Sequence, residues 1–142
     1  MHSIRAWARL SGTQKRLTLQ AGLTLLATHA RMAWVPRWSM RAALAGARIR
    51  RHRSLDADSA STIASAIDRV APHIPIESTC LARALAARTL LARYGYPSEL
   101  VVGVGFNPHA PPSFHAWLIA QGNIVVGARD DLSRFQSLIH SV

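Results

Sequence analysis

Three features of the 142-residue chain predict an α+β fold. Apolar residues recur at helical spacing as far as Arg93, strand-like runs begin near Leu100, and Gly95 and Pro97 stand between the two regimes as helix-ending residues. The expected architecture is a helix bearing the single cysteine, Cys80, packed on a small antiparallel sheet and preceded by basic N-terminal helices. Residues 1–55 are the basic helical region and residues 56–142 the core, together of a size for one compact domain.

Each element follows from local signals. Residues 1–12 show no clear period. Ser11 or Thr13 can cap a helix over residues 14–32, where Leu17, Leu19, Leu23, Leu25, Leu26 and Met32 supply apolar surface. Its longest run without Lys or Arg spans 14 residues, 17–30, against the roughly 20 needed to cross a bilayer. Thr18, Gln20 and Thr24 interrupt that run, which disfavours a secretory signal; the helix is expected to be packed or interfacial. Residues 34–38, with Pro36, break it, and residues 40–49 form another helix ending in a basic cluster at 48–53. Asp58 or Ser59 can cap a helix through Val70 that places Ile63, Ile67 and Val70 on one side. Pro72 and Pro75 lead into the cysteine helix, with Ser78 as its expected N-cap. Along it Cys80, Ala84, Ala87 and Leu91 share one face, made mostly of small residues that allow close approach to a sheet. Residues 100–106, 114–120 and 123–126 read as strands, 107–112 with three prolines as a loop, and Gln121-Gly122 as a turn. Asp131 is expected to cap a last helical turn holding Leu132, Phe135 and Leu138.

Charge divides the chain unevenly. Residues 1–53 hold eleven Lys or Arg and no acid, whereas from Ser54 onward six Arg face seven Asp or Glu. The basic third suits an acidic protein, an acidic peptide or an anionic membrane surface. Aromatic residues are not interleaved with its arginines, which argues against nucleic acid. One cysteine cannot close an internal disulfide, and neither paired CxxC nor His-x-x-x-His occurs, so no metal and no cofactor is expected.

Cys80 carries the chemistry this sequence offers. Unpaired N–H groups and the positive end of the dipole at a helix start favour a thiolate, the nucleophilic form. His115, on the second strand of the following hairpin, can take the thiol proton and return it to a leaving amine. Alternation puts His115, Trp117 and Ile119 on one strand face and Ala116, Leu118 and Ala120 on the other.

Cys80-Leu81-x-Arg83-Ala84-Leu85, then Val101-Val102-Gly103-Val104, Phe114-His115-Ala116-Trp117-Leu118 and Gly122-x-Ile124-Val125-Val126-Gly127 resemble the lasso peptide biosynthesis B2 protein family, transglutaminase-like leader peptidases. A helix-borne cysteine ahead of a hairpin histidine is likewise the arrangement of papain-like and transglutaminase-like thiol enzymes. The resemblance implies a cytoplasmic cysteine protease that removes the leader from a ribosomally made lasso precursor peptide. It also implies a small leader-binding recognition protein that presents the substrate and an ATP-dependent macrolactam cyclase that follows. Cys80 is then the nucleophile and His115 the base. Many relatives carry an acid about twelve residues beyond the histidine, where this chain has Gly127, and Ile119 stands where a glutamate often follows. With Ala120 and Asn123 flanking the turn, His115 would lie opposite Ala128, which makes Asp130 the candidate to orient it and Asp131 the next. Both acids read equally as turn or capping residues.

For the substrate, His109 lies in the Pro-rich loop, Trp117 is either core or a platform, and Arg83 meets a substrate carboxylate, backbone carbonyls or a structural salt bridge. The same fold also permits acyl transfer to an amine instead of water. A basic adaptor with an idle thiol is the non-catalytic alternative.

Overall fold

The computed structural model describes residues 11–34, 59–75 and 79–141. The expected helix at 40–49, the basic cluster at 48–53 and the candidate caps Asp58 and Ser78 lie outside the described residues.

The first helix, α1 (Gly12–Trp34), begins on a reciprocal cap. Gln14 N–H donates to Ser11 Oγ at 3.3 Å, and Ser11 N–H donates to Gln14 Oε1 at 3.0 Å, so two otherwise orphaned donors are satisfied. α2 (Ser59–Val70) follows and tightens into a 3-10 turn, Ala71–His73. Its predicted stripe is the buried one: Ile63, Ile67 and Val70 all enter the core.

α3 (Cys80–Arg93) is the central element. Thr79 caps it, its Oγ1 accepting from Ala82 N–H at 3.2 Å, one residue later than the expected Ser78. The predicted small-residue face is present, but Ala82, Leu85, Ala86 and Leu90 are buried as well. α3 is enclosed because α1 and α2 pack on it from one side and β2 from the other. A helix with apolar residues on more than one face is one that is covered on more than one face. Burial of Arg88 within it lowers that guanidinium's pKa by desolvation. At its C-terminal end Tyr96 N–H reaches Leu91 O at 3.0 Å and Gly95 N–H reaches Ala92 O at 3.2 Å, with Gly95 at φ 84°. This is a Schellman closure, which Gly95 makes without a Cβ penalty. Tyr94 O–H then donates to Gln20 Oε1, tying this end of α3 to α1.

The sheet is antiparallel with strand order β3-β2-β1-β4, from β1 (Glu99–Asn107), β2 (Ala110–Ala120), β3 (Asn123–Val126) and β4 (Phe135–Ser141). Leu100, Ala116, Leu118, Ala120 and Val126 join Leu17, Ala21 and Leu25 of α1 and the buried residues of α2 and α3 in one core. β2 starts at Ala110, four residues before its expected start, because Pro111 and Pro112 sit at the outer end of the hairpin, where the pairing with β1 is already irregular. Gln121 and Gly122, at φ 52° and 76°, make the tight turn into β3.

The C-terminus departs most from expectation. Only Leu132–Arg134 forms a 3-10 turn; Phe135 and Leu138 lie in β4, which pairs with β1. A register shift places Val102 opposite Ile139 and Gly103 opposite Ser137, so Leu138 is a bulged, exposed residue of an edge strand. Among the described residues no helix is long and apolar enough to cross a membrane.

Candidate active site

The cap on α3 determines which donors remain at its start. Thr79 takes Ala82 N–H through its side chain and Arg83 N–H through its carbonyl, the latter at 3.1 Å. The Cys80 and Leu81 N–H groups have no acceptor among the described residues, as the first turn of a helix leads one to expect. Cys80 is half-buried and packs against the core.

His115 is held from three directions. Its ring stacks on Trp117, with centroids 6.1 Å apart at 22°, and meets Phe135 at 5.6 Å and 50°. Two glycines of β1 make room for this aromatic group. A Cβ on Gly103 would lie 2.9 Å from the Trp117 ring, and one on Gly105 would lie 3.1 Å from the Phe135 ring. Third, Nε2 lies 2.7 Å from Gly127 O. A carbonyl only accepts, so Nε2 carries the proton and in the neutral ring Nδ1 keeps its lone pair. The imidazole is only 8% exposed, which makes these contacts its main surroundings.

The carbonyl of Gly127 thus occupies the role for which Asp130 was considered. Asp130 is exposed and makes no hydrogen bond to His115. The register explains this. Ala120 pairs with Asn123 and Ile119 with Ile124, but Leu118 pairs with Val126, so a bulge at Val125 shifts everything beyond it and cancels the alignment of His115 with Ala128. Gly127 then turns the chain at φ 78°. A Cβ there would come 2.6 Å from Ala116 O, so this position cannot hold an acidic side chain without moving the strand. Asp131, the second candidate, is engaged elsewhere: Arg129 Nε and Nη2 donate to its two carboxylate oxygens at 2.8 and 3.1 Å. That bond, chiefly, lowers the Asp131 pKa and raises that of Arg129.

Arg129 was not anticipated from the sequence, and it is the charged group beside the Phe135 ring that meets His115. Its guanidinium lies 5.6 Å from the Phe135 ring centroid, and the negative charge of a Cys80 thiolate contributes to its raised pKa. Cys80 and His115 form no hydrogen bond with each other: Cys80 packs with the helix-side core, whereas His115 lies on the strand face that alternates with Ala116 and Leu118. A basic residue just past a strand-ending glycine was the signal available in the sequence.

The remaining candidates disperse. Arg83 bonds Asp68 and so joins α3 to α2. Trp117 is buried as the stacking partner of His115. His109 lies exposed at the β1–β2 turn, its backbone N–H bonded to Asn107 Oδ1 at 3.0 Å. His140 meets Glu99 and Ser137 on the sheet surface. Among the described residues no three His, Cys, Asp or Glu side chains converge as a metal site would require.

A thiol at a helix start and a hairpin imidazole with one nitrogen fixed are residue types that acyl chemistry uses. No curated protein and no solved structure matches the chain. The family description "Transglutaminase-like superfamily", which covers cysteine proteases and acyltransferases, matches residues 22–140, and the chain belongs to that superfamily.

Proposed function

We propose that the protein is a cysteine peptidase that removes the leader from a ribosomally made lasso peptide precursor in the cytoplasm. A leader-binding protein would supply the substrate and a macrolactam cyclase would act next. The observation that supports the chemistry is the tautomer of His115, whose Nε2–H is bonded to Gly127 O and whose Nδ1 keeps its lone pair; in the proposed reaction that lone pair serves Cys80. The motifs running from Cys80 to Gly127 support the choice of substrate.

In this reaction Nδ1 takes the Cys80 proton and the thiolate attacks the scissile carbonyl carbon, forming a C–S bond while the carbonyl π pair moves to oxygen. The Cys80 N–H would stabilise that oxyanion. Collapse breaks the C–N bond, and imidazolium Nδ1–H protonates the departing amine. Water then attacks the thioester, giving its proton to Nδ1; the C–S bond breaks and the thiolate returns. Hydrogen bonds between nucleophile and base are often long before substrate binds and tighten in the complex, so closure of Cys80 onto His115 belongs to the substrate-bound state.

The test is co-expression with a candidate precursor and its binding protein, reading leader removal by mass. Cys80→Ala and His115→Ala are each expected to lower cleavage by about a thousandfold or more while circular dichroism stays unchanged. Full cleavage by either folded variant overturns the proposal. An amine adduct in place of the hydrolysed product would assign acyl transfer instead.

A further inference from the structure

A groove of about 250 Å³ runs between the outer end of the β1–β2 hairpin and the segment leading into β4. Phe106, Phe114 and Phe135 give it aromatic walls, and Arg129, Asp131 and Arg134 give it charge. It adjoins the candidate base His115, because Phe135 is also the ring against that imidazole and Arg129 lies over the same ring. Pockets for whole small molecules usually fall at about 300–1,000 Å³, so this one suits a side chain or two of an extended peptide.

Its charges are not equivalent. Arg129 is committed to Asp131 through two hydrogen bonds, and that pair is neutral as a unit. Arg134 donates its backbone N–H to Asp131 O at 3.0 Å and its charge helps lower the Asp131 pKa, but its side chain forms no hydrogen bond or salt bridge among the described residues; with two guanidinium groups and one carboxylate the groove keeps one net positive charge among apolar rings. Phe106 and Phe114 are each 66% exposed, a large apolar area to leave in water without a partner.

We propose that this groove is the substrate-side-chain subsite, selecting a peptide with a carboxylate side chain next to an apolar one, with Arg134 binding the carboxylate and Phe106 and Phe114 the apolar neighbour. It rests on the peptidase proposal only for which bond is cut, since selection here is a binding event. A guanidinium offers paired donors in a plane that a carboxylate matches, and the aromatic walls reduce competition from water.

The test uses full-length Cys80→Ala protein, which binds without turnover, and rhodamine-labelled, C-terminally amidated pentapeptides differing only as Phe-Glu or Phe-Gln at the centre. Fluorescence anisotropy is expected to show the Glu peptide binding about fivefold more tightly, as one partly exposed ion pair allows. Adding Arg134→Gln should bring that ratio to about one. Phe114→Ala should weaken both peptides alike. Equal binding of the two peptides, a ratio that survives Arg134→Gln, or no binding of either peptide overturns the inference. A gain confined to a Gln peptide with a free C-terminal carboxylate also overturns it, assigning the site to a chain end. Selective binding without precursor cleavage by wild-type protein would keep this subsite and remove the peptidase; cleavage without selectivity would do the reverse.

Discussion

The side of the sheet facing the helices and the side carrying His115 are built from alternate residues of the same strands. On the first, Leu100, Ala116, Leu118 and Ala120 fill one continuous core with α1, α2 and α3. On the second, Gly103 and Gly105 leave space, Trp117 and Phe135 fill it, and the imidazole is wedged between those rings. The first side depends on volume, which many apolar combinations supply. The second depends on gaps at two fixed places and on one carbonyl beyond the end of β3. Damage to the first should therefore register as lost stability, and damage to the second as lost activity out of proportion to stability.

Leu118→Ala carries the largest expected cost, about 2–5 kcal/mol in denaturant unfolding, because it leaves a cavity in the shared core. The fraction that stays folded should still cleave normally; reduced activity per folded molecule would erase the distinction between the two sides. Gly127→Ala should cost about 2–4 kcal/mol, combining a left-handed backbone with a Cβ pressed on Ala116 O. Its cleavage rate should fall further than that loss predicts, since the acceptor of His115 Nε2–H moves. Gly127→Asp should likewise fail to improve the enzyme, and any gain in rate would show that a carboxylate can be seated there after all. Gly103→Ala should cost about 1–3 kcal/mol by pushing the Trp117 ring. Altered NMR shifts of the His115 ring are the direct readout, and an unmoved imidazole would separate Trp117 from the site.

The smallest effect concerns the Arg129–Asp131 link. Asp131 has its pKa lowered in the folded chain, so whatever the link contributes is present above the ordinary carboxylate range. It is lost only as pH falls through the lowered folded value. Titration of the Asp131 carboxyl by NMR should show that delay, and Arg129→Gln should remove most of it, leaving the smaller effect of Arg134.

Much of the helix-facing side was legible in the sequence, because burial leaves a period: Ile63, Ile67 and Val70, the cysteine helix, Gly95 at its end and the alternation through Leu118 follow from it. Cys80 and His115 were legible as residue types that chemistry requires. β4 was not, since Leu138 is bulged out and Ile139 largely exposed, so its apolar residues mark no face. The acceptor for His115 was hidden for a different reason. A backbone carbonyl carries no residue signature, and a bulge at Val125 shifted the register used to look for it.

That acceptor also sets what genetics can see. Because Gly127 holds the imidazole with an atom every amino acid possesses, deleting side chains one by one in the proposed peptidase would return a two-membered machine and leave its third member unnoticed. Only replacing the peptide linkage itself, for example by an ester that weakens the oxygen as an acceptor, would remove it while leaving every side chain in place.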